Sequence, residues 1–128
     1  MKKLLLFALL ILLTGAQAYC QDFTRKEIQA AIMISKNALN LMGVNLEGVD
    51  LSNLDLRGII LVDANLQGAN LSNAFLRNAE LGRANLRNAK LNNAILNSAN
   101  LNGANIEGAD LTGADLEGAN MPDGSKYK

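Results

Sequence analysis

The apolar positions of the chain recur with a period of five between Val44 and Asp123. This stretch divides into sixteen consecutive pentapeptides without an insertion, and the third position is Leu in fourteen of them. The first position is Val44, Val49, Leu54 and Ile59, and then Ala in the other twelve units. Such a strict repeat predicts a solenoid in which each unit adds the same piece of structure.

A period of five does not suit an α-helix, because five residues advance by about 500° and the leucines would be spread over every face. On an extended chain, positions one and three point to the same side and position two points outward. Position two is Asn or Asp in eleven units, and position five is Gly or Asn in twelve. Since Gly and Asn tolerate positive φ, we expect positions four and five to form a corner. The result is a polygonal coil with Leu and Ala inside.

The A-[N/D]-L-x-x pattern of residues 44–123 resembles that of the pentapeptide repeat family. The resemblance implies an all-β solenoid, a right-handed quadrilateral parallel β-helix with four units per coil and therefore about four coils here. Departures from the pattern lie mostly in the first coil, where larger residues replace Ala and indicate a wider end. Leu39–Gly43 is a plausible further unit at the front, and the M-P-D-G stretch at 121–124 predicts the exit into a tail, residues 124–128.

Residues 19–43 precede the repeat, and a helix is predicted from about Thr24 to Ala38. Thr24 and Glu27 have the spacing of a capping box. One apolar stripe at helical spacing is formed by Ile28, Ala31, Ile32 and Ser35. Because this stripe must be buried, we expect the helix to cap the open end of the solenoid rather than to lie on a membrane.

Residues 1–18 have the features of a signal peptide. Two lysines precede the apolar run 4–13, and the A-Q-A motif at 16–18 fits a signal-peptidase site. The run is too short to span a membrane, which takes about 20 residues, and a buried N-terminal helix is the alternative. We therefore expect export to the periplasm, to the thylakoid lumen if the source is a photosynthetic bacterium, or to the medium.

Cys20 is the one cysteine of the chain, so no disulfide can form within it. Three interpretations stay open: a lipid-attachment residue, a free thiol and an intermolecular disulfide. Tyr19 and Gln17 stand where a lipoprotein signal prefers a small and an aliphatic residue, which argues against lipidation. A membrane is an expected partner only if Cys20 is lipidated.

The residue inventory argues against catalysis. The chain has no His, which excludes Ser-His and Cys-His pairs and the usual zinc ligands. No phosphate-binding glycine motif occurs, and several of the carboxylates stand at the outward second position, where Asn is commoner. We therefore predict no enzyme activity, catalytic residue, cofactor, metal or small-molecule substrate. Nucleic acid is not expected as a partner either, because the basic residues are spread over all faces of the predicted coil.

With twenty residues per coil, Phe75 lies over Ile95 at the outward second position, and Ile60 and Val62 lie one corner away. A contiguous exposed apolar surface often marks a contact site. We predict these four residues as a site for a protein partner, with self-association as the simplest version. Tolerated sequence drift and packing under the N-terminal segment are the alternatives.

The sequence thus favours an exported, non-catalytic scaffold or interaction module whose flat faces bind a protein partner. The resemblance offers an alternative, because some family members imitate DNA in size and negative charge and bind type II topoisomerases. Here the solenoid is short, and removal of residues 1–18 leaves ten basic and twelve acidic residues, a net charge of −2. The acidic residues form no continuous stripe, and an exported protein would not meet a cytosolic topoisomerase.

Overall fold

The computed structural model describes residues 24–35 and 38–128. Within these residues there is one α-helix, α1 (Arg25–Ile34), followed by a regular stack whose β structure consists of isolated bridges rather than longer strands. The predicted signal peptide and Cys20 lie outside the described residues. The described helix is too short and too polar to cross a membrane.

The predicted capping box of α1 is present, because the backbone N–H of Thr24 donates to the carboxylate of Glu27 at 2.8 Å. Ile28 and Ala31 are buried, as their position on the predicted stripe requires. The helix ends at Ile34, before the predicted end at Ala38, because the backbone of Ser35 is extended (φ −70°, ψ 121°).

Arg25 attaches α1 to the first repeats. Its guanidinium donates to the backbone carbonyls of Asp50, at 3.2 Å, and Ser52, at 2.9 Å, and it lies 3.2 Å from the Asp50 carboxylate. The apolar stripe of the helix therefore meets the first units of the stack, and Ile28 and Ala31 join the same core cluster as the leucines.

Parallel bridges join residues that are twenty apart, so the chain returns to the same side after four units. This spacing defines four faces by their second-position residues. Face A has Asn45, Asn65, Asn85 and Asn105; face B has Asp50, Asn70, Lys90 and Asp110; face C has Asp55, Phe75, Ile95 and Asp115; and face D has Asn40, Ile60, Glu80, Asn100 and Asn120. The predicted front unit, Leu39–Gly43, is part of face D through the Asn40–Ile60 bridge.

Four of the five backbone N–H groups of a unit donate to backbone carbonyls. The third-position N–H of Leu46 donates to Asn65 at 2.7 Å, and the fifth-position N–H of Gly48 donates to Gln67 at 2.9 Å. The second-position N–H donates back toward the preceding unit of its face, as Asn65 does to Val44 at 2.9 Å. The first-position N–H donates to the carbonyl three residues earlier and so closes the corner, as Val44 does to Leu41 at 3.3 Å. The fourth-position N–H of the described units is the one that has no backbone acceptor and needs another partner.

Every fifth-position residue from Gly43 to Gly118 has positive φ, including Asn and even Asp63, Arg83 and Ser98. Together with the hydrogen bond between the first and fourth residues of each corner, this backbone fits a type II turn. The predicted corner is confirmed. At the end of the repeat the positive φ moves from position 123 to Gly124, where the rhythm of five was predicted to break.

The core is a column of side chains from positions one and three. Leucines such as Leu61, Leu76 and Leu91 are fully buried, and so are the alanines between them. The larger first-position residues all belong to residues 44–63 and are Val44, Val49, Leu54 and Ile59. Within the described residues, no complete unit is stacked on the outer side of the first three, and the front unit, Leu39–Gly43, is stacked on the unit of Ile59. At the other end of the stack, Ile106 and Leu111 are only partly buried.

The tail folds back on the last unit instead of leaving the solenoid. Asn120 and Lys126 form an antiparallel bridge, and the N–H of Tyr127 donates to the carbonyl of Ala119 at 2.9 Å. The M-P-D-G stretch therefore forms a reversal, and the tail covers the end of face D.

Candidate interaction surface

The second-position side chain supplies the hydrogen bond that the backbone leaves open. In eleven units the Oδ1 atom of Asn or Asp accepts the N–H of the residue two positions later. For example, Asn100 accepts from Asn102 at 3.1 Å. Asn120 lacks this bond because Pro122, two positions later, has no N–H. The Asn and Asp of the repeat therefore complete the corner.

Asparagine also joins neighbouring units of face A. The Nδ2 atom of Asn65 donates to Oδ1 of Asn45 at 3.0 Å, and Nδ2 of Asn85 donates to Oδ1 of Asn65 at 3.1 Å. Stacked amides of this kind stabilise parallel, in-register strands. The sequence predicted outward polar residues at these positions but not their bond to the corner, which the two-residue spacing from a turn N–H could have indicated.

Phe75 and Ile95 cannot make the corner bond. They lie in neighbouring units of face C and form a parallel bridge, which brings the two side chains to the same surface. Phe75 is 45% exposed, and Ile95 is half-buried. Because no side-chain acceptor faces the N–H of Arg77 or Asn97 in the described part of the chain, these two positions lack a bond that most other units have. We call Phe75 and Ile95 the apolar pair.

Ile60 and Val62 lie on the neighbouring face D and at its corner, and both are partly buried. Ile60 bridges Asn40 and Glu80, so polar residues stand on either side of it on that face. The structure thus brings Phe75 and Ile95 together, whereas Ile60 and Val62 are separated from them by a corner of the coil.

Two carboxylates lie at the ends of the apolar pair on face C. Asp55 accepts from Nε of Arg57 at 2.7 Å and from Nη2 at 2.6 Å, and the hydrogen bonds of this guanidinium lower the pKa of Asp55. The pKa of Asp115 is also lowered, first by a hydrogen bond from the side chain of Asn97 and then by the N–H of Glu117. Face C therefore presents an apolar centre between two ionised carboxylates at neutral pH.

Other exposed large apolar side chains of the described residues lie at the ends of the stack. They are Met33, Ile34, Met42 and Tyr127. Among the exposed large apolar side chains of the described residues, Phe75 therefore differs in lying on a side face of the solenoid rather than at an end.

No feature of the described residues suggests a reaction centre. No group of His, Cys, Asp and Glu in these residues could hold a metal ion. A groove of about 380 Å³ lies between α1 and the first units, and its polar lining includes the paired Asp55 and Arg57.

A family model of pentapeptide repeats, described as eight copies, matches residues 40–78 and 79–118. Three solved structures extend this likeness. HetL, a pentapeptide repeat protein involved in heterocyst differentiation regulation from the cyanobacterium Nostoc sp. strain PCC 7120, is 44% identical, with 69% of this chain and 43% of HetL covered and a TM-score of 0.43. A second pentapeptide repeat protein from Nostoc PCC 7120 is 32% identical, with 78% of this chain and 82% of that protein covered and a TM-score of 0.37.

A pentapeptide repeat protein from the thylakoid lumen of Arabidopsis thaliana is 32% identical, with 70% of this chain and 69% of that protein covered and a TM-score of 0.30. No curated protein matches the chain in sequence. The chain belongs to the pentapeptide repeat family, whose members are right-handed quadrilateral β-helices. Proteins of this family are generally structural or interaction modules.

Proposed function

We propose that this protein is a non-catalytic, exported interaction module that binds a protein partner through face C, with the apolar pair at the centre of the contact. The observation that supports this most is that Phe75 and Ile95 have no side-chain oxygen to accept the backbone N–H two residues later. An Asn at either position would accept the N–H of Arg77 or Asn97, as the second-position Asn or Asp does in most units. It would also avoid exposing an apolar side chain to water. Two neighbouring exceptions on one face that are both apolar are better explained by a contact than by the needs of the fold.

The architecture suits this role. We propose that residues 44–123 form four complete right-handed coils, that Leu39–Gly43 adds a further side, and that α1 caps the front. Each unit buries its Leu inside, so the outward positions are free to vary without loss of the core. A rigid face of this kind pays little conformational entropy on binding.

The electrostatics of the described solenoid argue against a topoisomerase as the protein partner. A DNA-like surface would need a continuous acidic stripe, but residues 64–103 contain four basic residues and one acidic residue. Export is proposed from the signal-like residues 1–18. An exported protein would not meet a cytosolic topoisomerase.

Site-specific photo-crosslinking tests this proposal. Benzoylphenylalanine placed at Phe75 replaces one aromatic side chain with another, and the matched control places it at Asn70, the second position of face B in the preceding unit. In cells that express the protein natively, we expect a discrete adduct from position 75 and none from position 70. The Ile95→Asn substitution should abolish the adduct, because it removes the apolar neighbour while supplying the corner bond.

The mass of the adduct identifies the kind of partner. An adduct of twice the chain mass would show that a second copy occupies face C, which is the self-association version of the proposal. Equal adducts from both positions, or an adduct that persists after Ile95→Asn, would contradict a specific contact at the apolar pair. The absence of any adduct at position 75 would contradict the proposal as well.

A further inference from the structure

The end of the stack that faces away from α1 has unpaired backbone groups on three sides. In the preceding units, third-position N–H groups donate onward, as Leu86 does to the carbonyl of Asn105 at 2.8 Å. The corresponding N–H groups of Ile106, Leu111 and Leu116 have no backbone partner within residues 38–128. The carbonyls of Ala104, Ala109 and Ala114 likewise receive no onward backbone bond in this part of the chain. We call these six groups the open edge.

The core is also open at this end. Ile106, Ala109, Leu111 and Ala114 are partly exposed, whereas the residues twenty positions earlier are fully or almost fully buried. Unpaired strand edges with apolar side chains beside them are templates for the addition of another strand.

On the fourth side, the chain's own tail already occupies the edge. The N–H of Gly118 donates to the carbonyl of Tyr127 at 3.1 Å, and the N–H of Met121 donates to Ser125 at 2.8 Å. The occupying segment is S-K-Y-K, extended and basic, and Nζ of Lys126 lies 3.4 Å from the carbonyl of Gly118. The structure thus contains one example of the chemistry that this edge accepts.

The charge of the last units matches such an occupant. Residues 104–123 contain five acidic residues and no basic residue: Glu107, Asp110, Asp115, Glu117 and Asp123. Glu107 already pairs with Arg87 at 3.2 Å, and a lysine-containing segment would meet the other four carboxylates with opposite charge. A second copy would instead bring two acidic ends together, and like charges across an interface are costly.

We propose that the open edge binds an extended, lysine-containing segment of a partner protein by strand addition. The partner's backbone pairs with the N–H groups of Ile106, Leu111 or Leu116, its apolar side chains cover the exposed core residues, and its lysines face the carboxylates. This surface lies at the end of the stack and includes Asp115, the last second-position residue of face C, but it does not depend on the apolar pair.

Titration of the isotope-labelled protein with a short peptide of alternating lysine and valine, blocked at both ends, tests the proposal by NMR. We expect shift changes and slower hydrogen exchange at the amides of Ile106, Leu111 and Leu116, with a Kd of about 1 mM or tighter at low salt. A peptide with glutamate in place of each lysine is the matched control and should bind at least about ten-fold more weakly.

Two variants separate the charge effect from folding and from the apolar pair. The Asp110→Asn/Asp115→Asn variant keeps an Oδ1 acceptor for the N–H groups of Thr112 and Glu117, so its fold is retained. It should weaken binding of the lysine peptide by about three-fold or more, because two carboxylates are lost. The Phe75→Asn variant should leave this binding unchanged.

Three results would overturn the proposal. The first is the absence of changes at the open edge at peptide concentrations of several times 1 mM. The second is equal binding of the lysine and glutamate peptides. The third is protection of the same amides that rises with protein concentration without peptide, which would make a second copy the occupant.

Discussion

Replacement of Leu76 by Ala is expected to lower the free energy of unfolding by about 3–5 kcal/mol, close to the limit of what a single core truncation costs. Leu76 is fully buried in the centre of the stack, where units on both sides hold the surrounding backbone in register. The cavity cannot collapse easily, because the walls are fixed by parallel hydrogen bonds such as Leu76 to Ile95 at 2.8 Å. Urea denaturation followed by circular dichroism gives the difference, with the m-value as a check that the same surface is exposed.

The matched control is Leu111→Ala, the same substitution at the same position of a unit near the open end. Leu111 is partly exposed, so less apolar area returns to water and the site can relax; we expect a loss of about 1–2 kcal/mol. Equal losses for the two variants would show that burial does not rise toward the centre of the stack. A loss below about 1 kcal/mol at Leu76 would contradict its place in a packed core.

Enlargement of a wall residue is the second substitution with a large expected effect. Ala94 is fully buried at the first position of a unit on face C, and Ala94→Leu should cost about 1–3 kcal/mol, because the added carbons have no space between stacked units. Leu54 holds the same position forty residues earlier, where no preceding unit of face C is stacked on it within the described residues. Thermal or urea unfolding measures the loss.

Ala114→Leu is the control for this prediction, since Ala114 is the next residue of the same column and is partly exposed at the open end. We expect its stability to stay within about 0.5 kcal/mol of the unsubstituted protein, because the larger side chain can extend past the last unit. If the Ala94→Leu variant were as stable as the unsubstituted protein, this would contradict the claim that stacked units lie too close together for a side chain larger than Ala at this position.

The period of five allowed the inside and outside of the solenoid to be predicted from physical reasoning. Alternation within a unit placed Leu76 and Ala94 inside and Phe75 outside, and the φ preference of Gly and Asn located the corners. The number of sides did not follow from the spacing, because several polygons satisfy a five-residue side; it came from the family resemblance. Bridges such as Asn65–Asn85 agree with four sides.

Features that depend on contacts between distant residues were not predictable in this way. The early end of α1 at Ile34 and the return of the tail over face D depend on what the neighbouring units offer. The role of Asn and Asp in the corner was within reach, since these side chains often accept a backbone N–H two residues later. Phe75 and Ile95 lack that bond and lie side by side on face C, whereas Ile60, which lacks it too, lies with Val62 beyond a corner of the coil, although the sequence had grouped all four.

Disulfide formation between engineered cysteines tests the stacking of residues twenty apart most directly. In a Cys20→Ser background, Asn65→Cys/Asn85→Cys puts two thiols on neighbouring units of face A, where adjacent strands lie about 5 Å apart and a disulfide can close. The control, Asn65→Cys/Glu80→Cys, puts them fifteen residues apart on faces whose side chains point in different directions. We expect rapid, nearly complete oxidation of the 65–85 pair and none of the 65–80 pair under mild oxidant. Oxidation of the 65–80 pair with the 65–85 pair still reduced would mean three units per coil and would contradict the four faces on which both proposals depend.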